Sequence, residues 1–122
     1  MDDSRTLCPH YHRAVELIGQ RWTGAIIFVL LKGPCRFRDL REVIPDISSR
    51  MLSERLKELE QETIVVRHVV PETPVQVEYA LTERGRALAQ PVEAIMRWAH
   101  DWPPAGSDGS GPDEATAAGA TA

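Results

Sequence analysis

The chain has 122 residues, 43% of them hydrophobic, enough for a single core, and 14 basic against 18 acidic side chains, a net charge of −4. No stretch approaches the roughly 18 consecutive apolar residues of a membrane span, and Met1-Asp2-Asp3 does not open a signal peptide, so a cytoplasmic chain without a membrane partner is expected. Two cysteines in a cytoplasmic chain argue against a structural disulfide framework.

A first helix is predicted from Cys8-Pro9, with Pro in the first turn where its missing N–H costs little, to Ile18 before Gly19. Cys8 then lies where the positive end of the helix dipole favours thiolate over thiol, with His10, His12 and Arg13 nearby, and it is a candidate redox switch. The alternative is a semi-buried small apolar residue. Cys8, His10 and His12 also offer soft ligands, but alternate spacing spreads them about 200° apart on a helix, so no metal site is expected. A second helix, Trp22 to about Leu31, is apolar nearly all round and should be the central buried helix, stopped by Gly33-Pro34. Cys35 follows that stop and reads as incidental.

A short amphipathic helix follows from Phe37, with apolar residues at 37, 40 and 44, ending at Val43 or Ile44 because the residue before Pro45 disfavours α conformation. Ser48 or Ser49 caps the next helix, which runs to about Gln61. Ile47, Leu52, Leu56 and Leu59 lie on its buried stripe, and Ser49, Arg50, Ser53 and Lys57 on the opposite face. Two β-rich runs, Ile64–Val70 and Val75–Leu81, then flank a Pro-rich turn. Thr82 caps a last long helix with Glu83 in its first turn, and Leu88, Val92, Ile95, Trp98 and Trp102 form an apolar stripe along it. Pro91 predicts a kink there, unless two helices meet. Residues 103–122 are small, polar and aperiodic, and read as a disordered tail after one folded domain, 1–102.

The expected fold is therefore mainly α with a small β-hairpin, in the order of a winged helix-turn-helix. Its second helix offers Ser hydroxyls and an Arg guanidinium near the N-terminal end, the end a recognition helix presents to base edges of double-stranded DNA. The acidic global charge misleads. From Lys32 to Lys57 seven cations face four anions, about +3, and local charge is what a phosphate feels within a Debye length of roughly 8 Å. The excess is modest, so one protomer alone should bind weakly. Trp98 and Trp102, one turn apart on a terminal helix, read as the core of a homodimer interface, with their own domain's core as the alternative. Two-fold symmetry would set two recognition helices about 34 Å apart on a pseudo-palindrome.

Cys8-Pro9, Ile18-Gly19-Gln20-Arg21-Trp22-Thr23, Arg36-Phe37-Arg38-Asp39-Leu40, Arg55-Leu56-Lys57-Glu58-Leu59-Glu60, Val77-Glu78-Tyr79-Ala80-Leu81-Thr82 and Gly85, in that order, resemble the HxlR-type winged-helix regulators, a branch near the MarR-like repressors. The resemblance spans about residues 7–102. It implies a homodimeric transcription regulator, a repressor by kinship, dimerising through the first and last helices, with Tyr11 joining Leu88, Val92, Ile95, Trp98 and Trp102. It implies DNA reading by the Ser48 to Gln61 helix and the wing, with Arg36 near the phosphate backbone and Arg38 in the same basic segment. Some regulators resembling this one sense oxidants, quinones or aldehydes at a cysteine near position 8. Two departures stand out. Thr63 occupies the turn after the recognition helix where Gly is usual, at a cost of ~1 kcal/mol in a left-handed C-cap. The wing tip from Pro71 to Gln76 holds an acid and no cation, leaving Arg67, His68 and Gln76 as its polar contributors.

No Gly-rich phosphate loop or His-Glu-x-x-His is present, so neither an enzyme nor a cofactor is expected. The rival readings are a regulator controlled by a small-molecule effector in a dimer-interface pocket, and a winged-helix protein-interaction module.

Overall fold

In the computed structural model, which describes residues 5–106, the elements run α1 (Pro9–Ile18), α2 (Thr23–Leu30), β1 (Cys35–Arg36), α3 (Phe37–Val43), α4 (Ser49–Gln61), β2 (Val65–Val70), β3 (Gln76–Leu81), α5 (Glu83–Arg86) and α6 (Ala89–Asp101). The chain divides after Ala87 into two compact units. The disordered tail expected from residue 103 onward falls largely on residues 107–122, outside those described.

α1 opens where expected, with Pro9 in its first turn and Cys8 extended at the N-cap. α2 starts one residue later than predicted because Trp22 stands in the left-handed region at φ 77°. A bulky side chain there costs about 1–2 kcal/mol, and the Arg21 guanidinium lies 4.8 Å over the indole ring. α2 is not buried all round. It buries Thr23, Ile26, Ile27 and Leu30 and leaves Phe28 exposed, because a helix packed on one side of a small domain has a solvent face however apolar its sequence.

The helix-turn-helix forms as the pattern predicts. Asp39 Oδ2 accepts the Arg36 N–H at 3.1 Å and closes the start of α3. The chain turns between Ile44 and Ser48, with the Ile47 N–H bonded to the Ile44 carbonyl. Ser48 caps α4, its Oγ accepting the Met51 N–H at 3.0 Å. Ile47, Leu52, Leu56 and Leu59 are all buried, joining Leu40, Ile44, Ile64, Val65, Leu81 and the α2 residues in one core. Truncating Leu52 or Leu56 to Ala costs about 2–5 kcal/mol. α4 ends in a Schellman motif: the Ile64 N–H bonds to Leu59 O and the Thr63 N–H to Glu60 O. Thr63 sits there at φ 57°, so the unfavourable left-handed cap anticipated at this position is present.

The wing is a β2–β3 hairpin in antiparallel register from Val65↔Leu81 to Val70↔Gln76. A third strand joins it: β1 pairs with β3 through Cys35↔Tyr79 and Arg36↔Glu78, making the order β1-β3-β2. Thr82 ties the base of the wing, its hydroxyl accepting the Gly85 N–H and donating to Thr63 O. A Cβ on Gly85 would collide with the Ile64 carbonyl oxygen, which is why no side chain fits there.

The last helix is two helices, with the break at Ala87–Leu88 rather than at Pro91. Pro91 is the third residue of α6, a place where a backbone N–H would have no intrahelical acceptor, so the one that Pro lacks is not missed. In this second unit α6 buries no residue; Leu88 and Val92 are half-buried, while Ile95, Met96, Trp98 and Trp102 are exposed. No helix among the described residues is long and apolar enough to cross a membrane.

Candidate nucleic-acid interface

α4 offers one continuous free flank. Ser49, Ser53 and Lys57, at i, i+4 and i+8, line up along it with Arg50 beside them, and all four are exposed. The Arg50 side chain is 88% exposed and meets only Glu54, at 3.4 Å. Such a pair in water is worth little and yields to a better acceptor. Ser48 differs from its neighbours because its lone pairs serve the helix cap. Its hydroxyl can still donate outward, but its primary role is to start the helix that carries the others.

The other expected contacts are less uniform. Arg38 is exposed on α3, whereas Arg36 is half-buried at the junction of β1 and α3. Residues directly opposite on antiparallel strands share a face, so Arg36, Glu78 and His68 form one row across the sheet. Glu78 therefore offsets part of the positive charge that Arg36 could show a phosphate. Arg67, opposite Tyr79 on the other face, is exposed. Gln76 is half-buried and its Nε2 donates to Pro74 O at 3.3 Å, so the side chain braces the wing turn.

The two thiols stand in different surroundings. Cys8 is exposed at the first turn of α1, and its side chain makes no capping hydrogen bond. Cys35 is half-buried on β1, its Sγ directed at Gly33 O at 3.7 Å. Desolvation, then the carboxylates of Asp39 and Glu78, push its pKa above the ordinary thiol value. Tyr11 is exposed on α1, in step with exposed Val15 four residues on. On α6, Trp98 and Trp102 are 64% and 58% exposed. Among the described residues no three His, Cys, Asp or Glu side chains are grouped to hold a metal ion.

Sequence reasoning missed Arg55 and Trp22. Arg55 was visible as one letter of a family string and as one of the seven cations from Lys32 to Lys57, yet its Nε donates to Arg21 O at 2.9 Å, 34 residues away. Nothing in helical periodicity signals such a partner.

The comparisons agree with this geometry. A family model described as HxlR-like helix-turn-helix matches residues 17–107. The HTH-type transcriptional regulator YodB of Bacillus subtilis is 54% identical over 94 residues, covering 77% of this chain and 84% of YodB. The solved reduced form of YodB superposes with a TM-score of 0.76 at 50% identity, covering 84% of this chain and all of that one. YodB has also been solved diamide-treated and quinone-bound, with TM-scores of 0.70 and 0.68. The oxidised form of the redox regulator HypR matches with a TM-score of 0.70 at 38% identity, over 75% of this chain and 94% of HypR.

Proposed function

The chain belongs to the HxlR-like helix-turn-helix family and is a transcriptional regulator, not an enzyme, and from that premise we propose a homodimeric, sequence-specific repressor that electrophiles or oxidants control through Cys8. The observation that carries the DNA reading is the free flank of a capped α4, with Ser49, Arg50, Ser53 and Lys57 exposed together. Arg38 and Arg67 add exposed cations beside it, and Arg36 anchors phosphate from the junction of β1 and α3.

The dimer reading rests on exposed apolar area. Tryptophan side chains that stay in water forgo a large burial energy, and a second copy that covers them recovers it. Leu88, Val92 and Ile95 extend the α6 surface, and Tyr11 adds an aromatic on α1. Sedimentation of Trp98→Asp checks this: the variant runs as a monomer if α6 is the seam, and an unchanged dimer moves the seam elsewhere.

Cys8 is the thiol placed for chemistry, since it is exposed, while Cys35 is held protonated by its surroundings. Relatives solved in reduced, diamide-treated, quinone-bound and oxidised forms support a thiol signal. Treatment with a quinone followed by peptide mass analysis should find the adduct on Cys8 at neutral pH. Cys35 joins only as pH rises past the ordinary thiol range, because its raised pKa delays thiolate formation. Loss of operator binding on treatment of the wild type, and its retention in Cys8→Ser, is the expected result. Equal loss in both would remove Cys8 from the mechanism.

A further inference from the structure

α4 carries a second polar flank, and it is occupied inside the protein. At 100° per residue, Arg55, Glu58 and Glu62 fall roughly 140–180° round the helix from Ser53. Arg55 Nε donates to the Arg21 carbonyl at 2.9 Å, and its Nη1 lies 3.2 Å from each Glu58 carboxylate oxygen. Arg13 of α1 donates from Nη2 to Glu62 Oε2 at 2.7 Å, at the C-cap of α4. Both links run to the same part of the fold, α1 and the connection after it, where the left-handed Trp22 follows the carbonyl that Arg55 holds. The Arg55 side chain is 15% exposed. A guanidinium so covered, already holding a carbonyl and a carboxylate, is not placed to contact phosphate.

The leucine stripe holds α4 to the core but is non-directional, and a helix seated only on such a seam can roll. Hydrogen bonds from a planar fork are directional, so Arg55 and the Arg13–Glu62 pair restrain rotation of α4 about its axis. We propose that Arg55, seconded by Arg13–Glu62, is a positioning residue for DNA reading, setting the angle at which Ser49, Arg50, Ser53 and Lys57 meet base edges; this rests on the function proposed above. Base readout demands aligned hydrogen bonds, whereas phosphate contacts carry no sequence information, so loosening the flank lowers selectivity and leaves general affinity in place.

The test selects an operator from a random duplex library with the wild-type protein and measures binding to it and to a scrambled duplex across salt. In Arg55→Gln the selected-to-scrambled affinity ratio should fall about tenfold or more, with scrambled affinity and salt slope as in the wild type. Arg55→Lys, which keeps the charge and one donor direction, should recover part of the ratio. An unchanged ratio overturns the proposal, as does equal weakening on both duplexes with the salt slope reduced by about one, the mark of a phosphate contact. Should Arg55→Gln not fold, Arg13→Gln and Glu62→Gln decide: each should lower the ratio about threefold, and no change in either overturns it. A wild type that selects no duplex overturns the proposed function along with this inference, whereas a selective wild type with an unaffected variant overturns this inference alone.

Discussion

The recognition helix and the wing lie close together in the sequence, and both are expected to touch DNA, yet the α4 flank is exposed throughout, whereas the wing sets its exposed Arg67 among a self-braced Gln76 and the acid of Glu78. On α4 the exposed flank holds four donors, of which only Arg50 has a side-chain partner, a solvent-exposed glutamate. On the wing, Gln76 braces its own turn and the row through Glu78 sets an acid between Arg36 and His68. The tip exposes Val75 and Pro74 beside Glu72. A helix satisfies its backbone internally and frees its side chains, whereas a two-stranded wing needs side chains to stiffen it. We therefore expect sequence selectivity to come from α4 and the wing to contribute a small, position-insensitive share.

Breaking the helix side gives the largest effect. Arg50→Ala should cost about 1–3 kcal/mol on the selected operator and relax preference at one base pair, read by binding to operator variants. A uniform loss across sequences would recast Arg50 as a phosphate anchor. Thr63→Gly, at the junction of α4 and the wing, should raise stability by about 1 kcal/mol in urea unfolding, since Gly adopts φ 57° without strain. Lys57→Ala should weaken selected and scrambled duplexes alike and lower the salt slope by about one. The smallest effect belongs to the wing: Gln76→Ala should change affinity by less than about twofold, and a larger, sequence-dependent loss would place the wing among the base readers.

Much of this was legible beforehand, for local reasons. The ends of α4, its Ser48 cap, its leucine stripe and the strained Thr63 cap all follow from relations within a few residues. The hairpin was legible too, with each strand one residue shorter at its N-terminal end, since Ile64 joins the helix C-cap motif and Val75 the turn. β1 was not, because two residues cannot carry an alternation signal and their partners, Tyr79 and Glu78, lie over forty residues away. Phe28 was misplaced for a related reason: apolar composition reports the capacity to be buried, not which face finds a neighbour.

Within the proposed site, the amino-acid sequence by itself determined that α4 exposes Arg50, Ser53 and Lys57, because a 3.6-residue period separates them from the leucines, whereas Ser49, seven residues before Leu56, is exposed as the first residue of the helix. It also carried the family, through an ordered set of short motifs. Only the tertiary structure decided what α4 leans on. The Arg55 fork on the Arg21 carbonyl, the Arg13–Glu62 pair, the left-handed Trp22 between α1 and α2, and the burial that disarms Cys35 while Cys8 stays open all depend on partners distant in sequence. Local periodicity cannot encode such pairings, because they exist only after the core has closed and brought those backbones within hydrogen-bond reach.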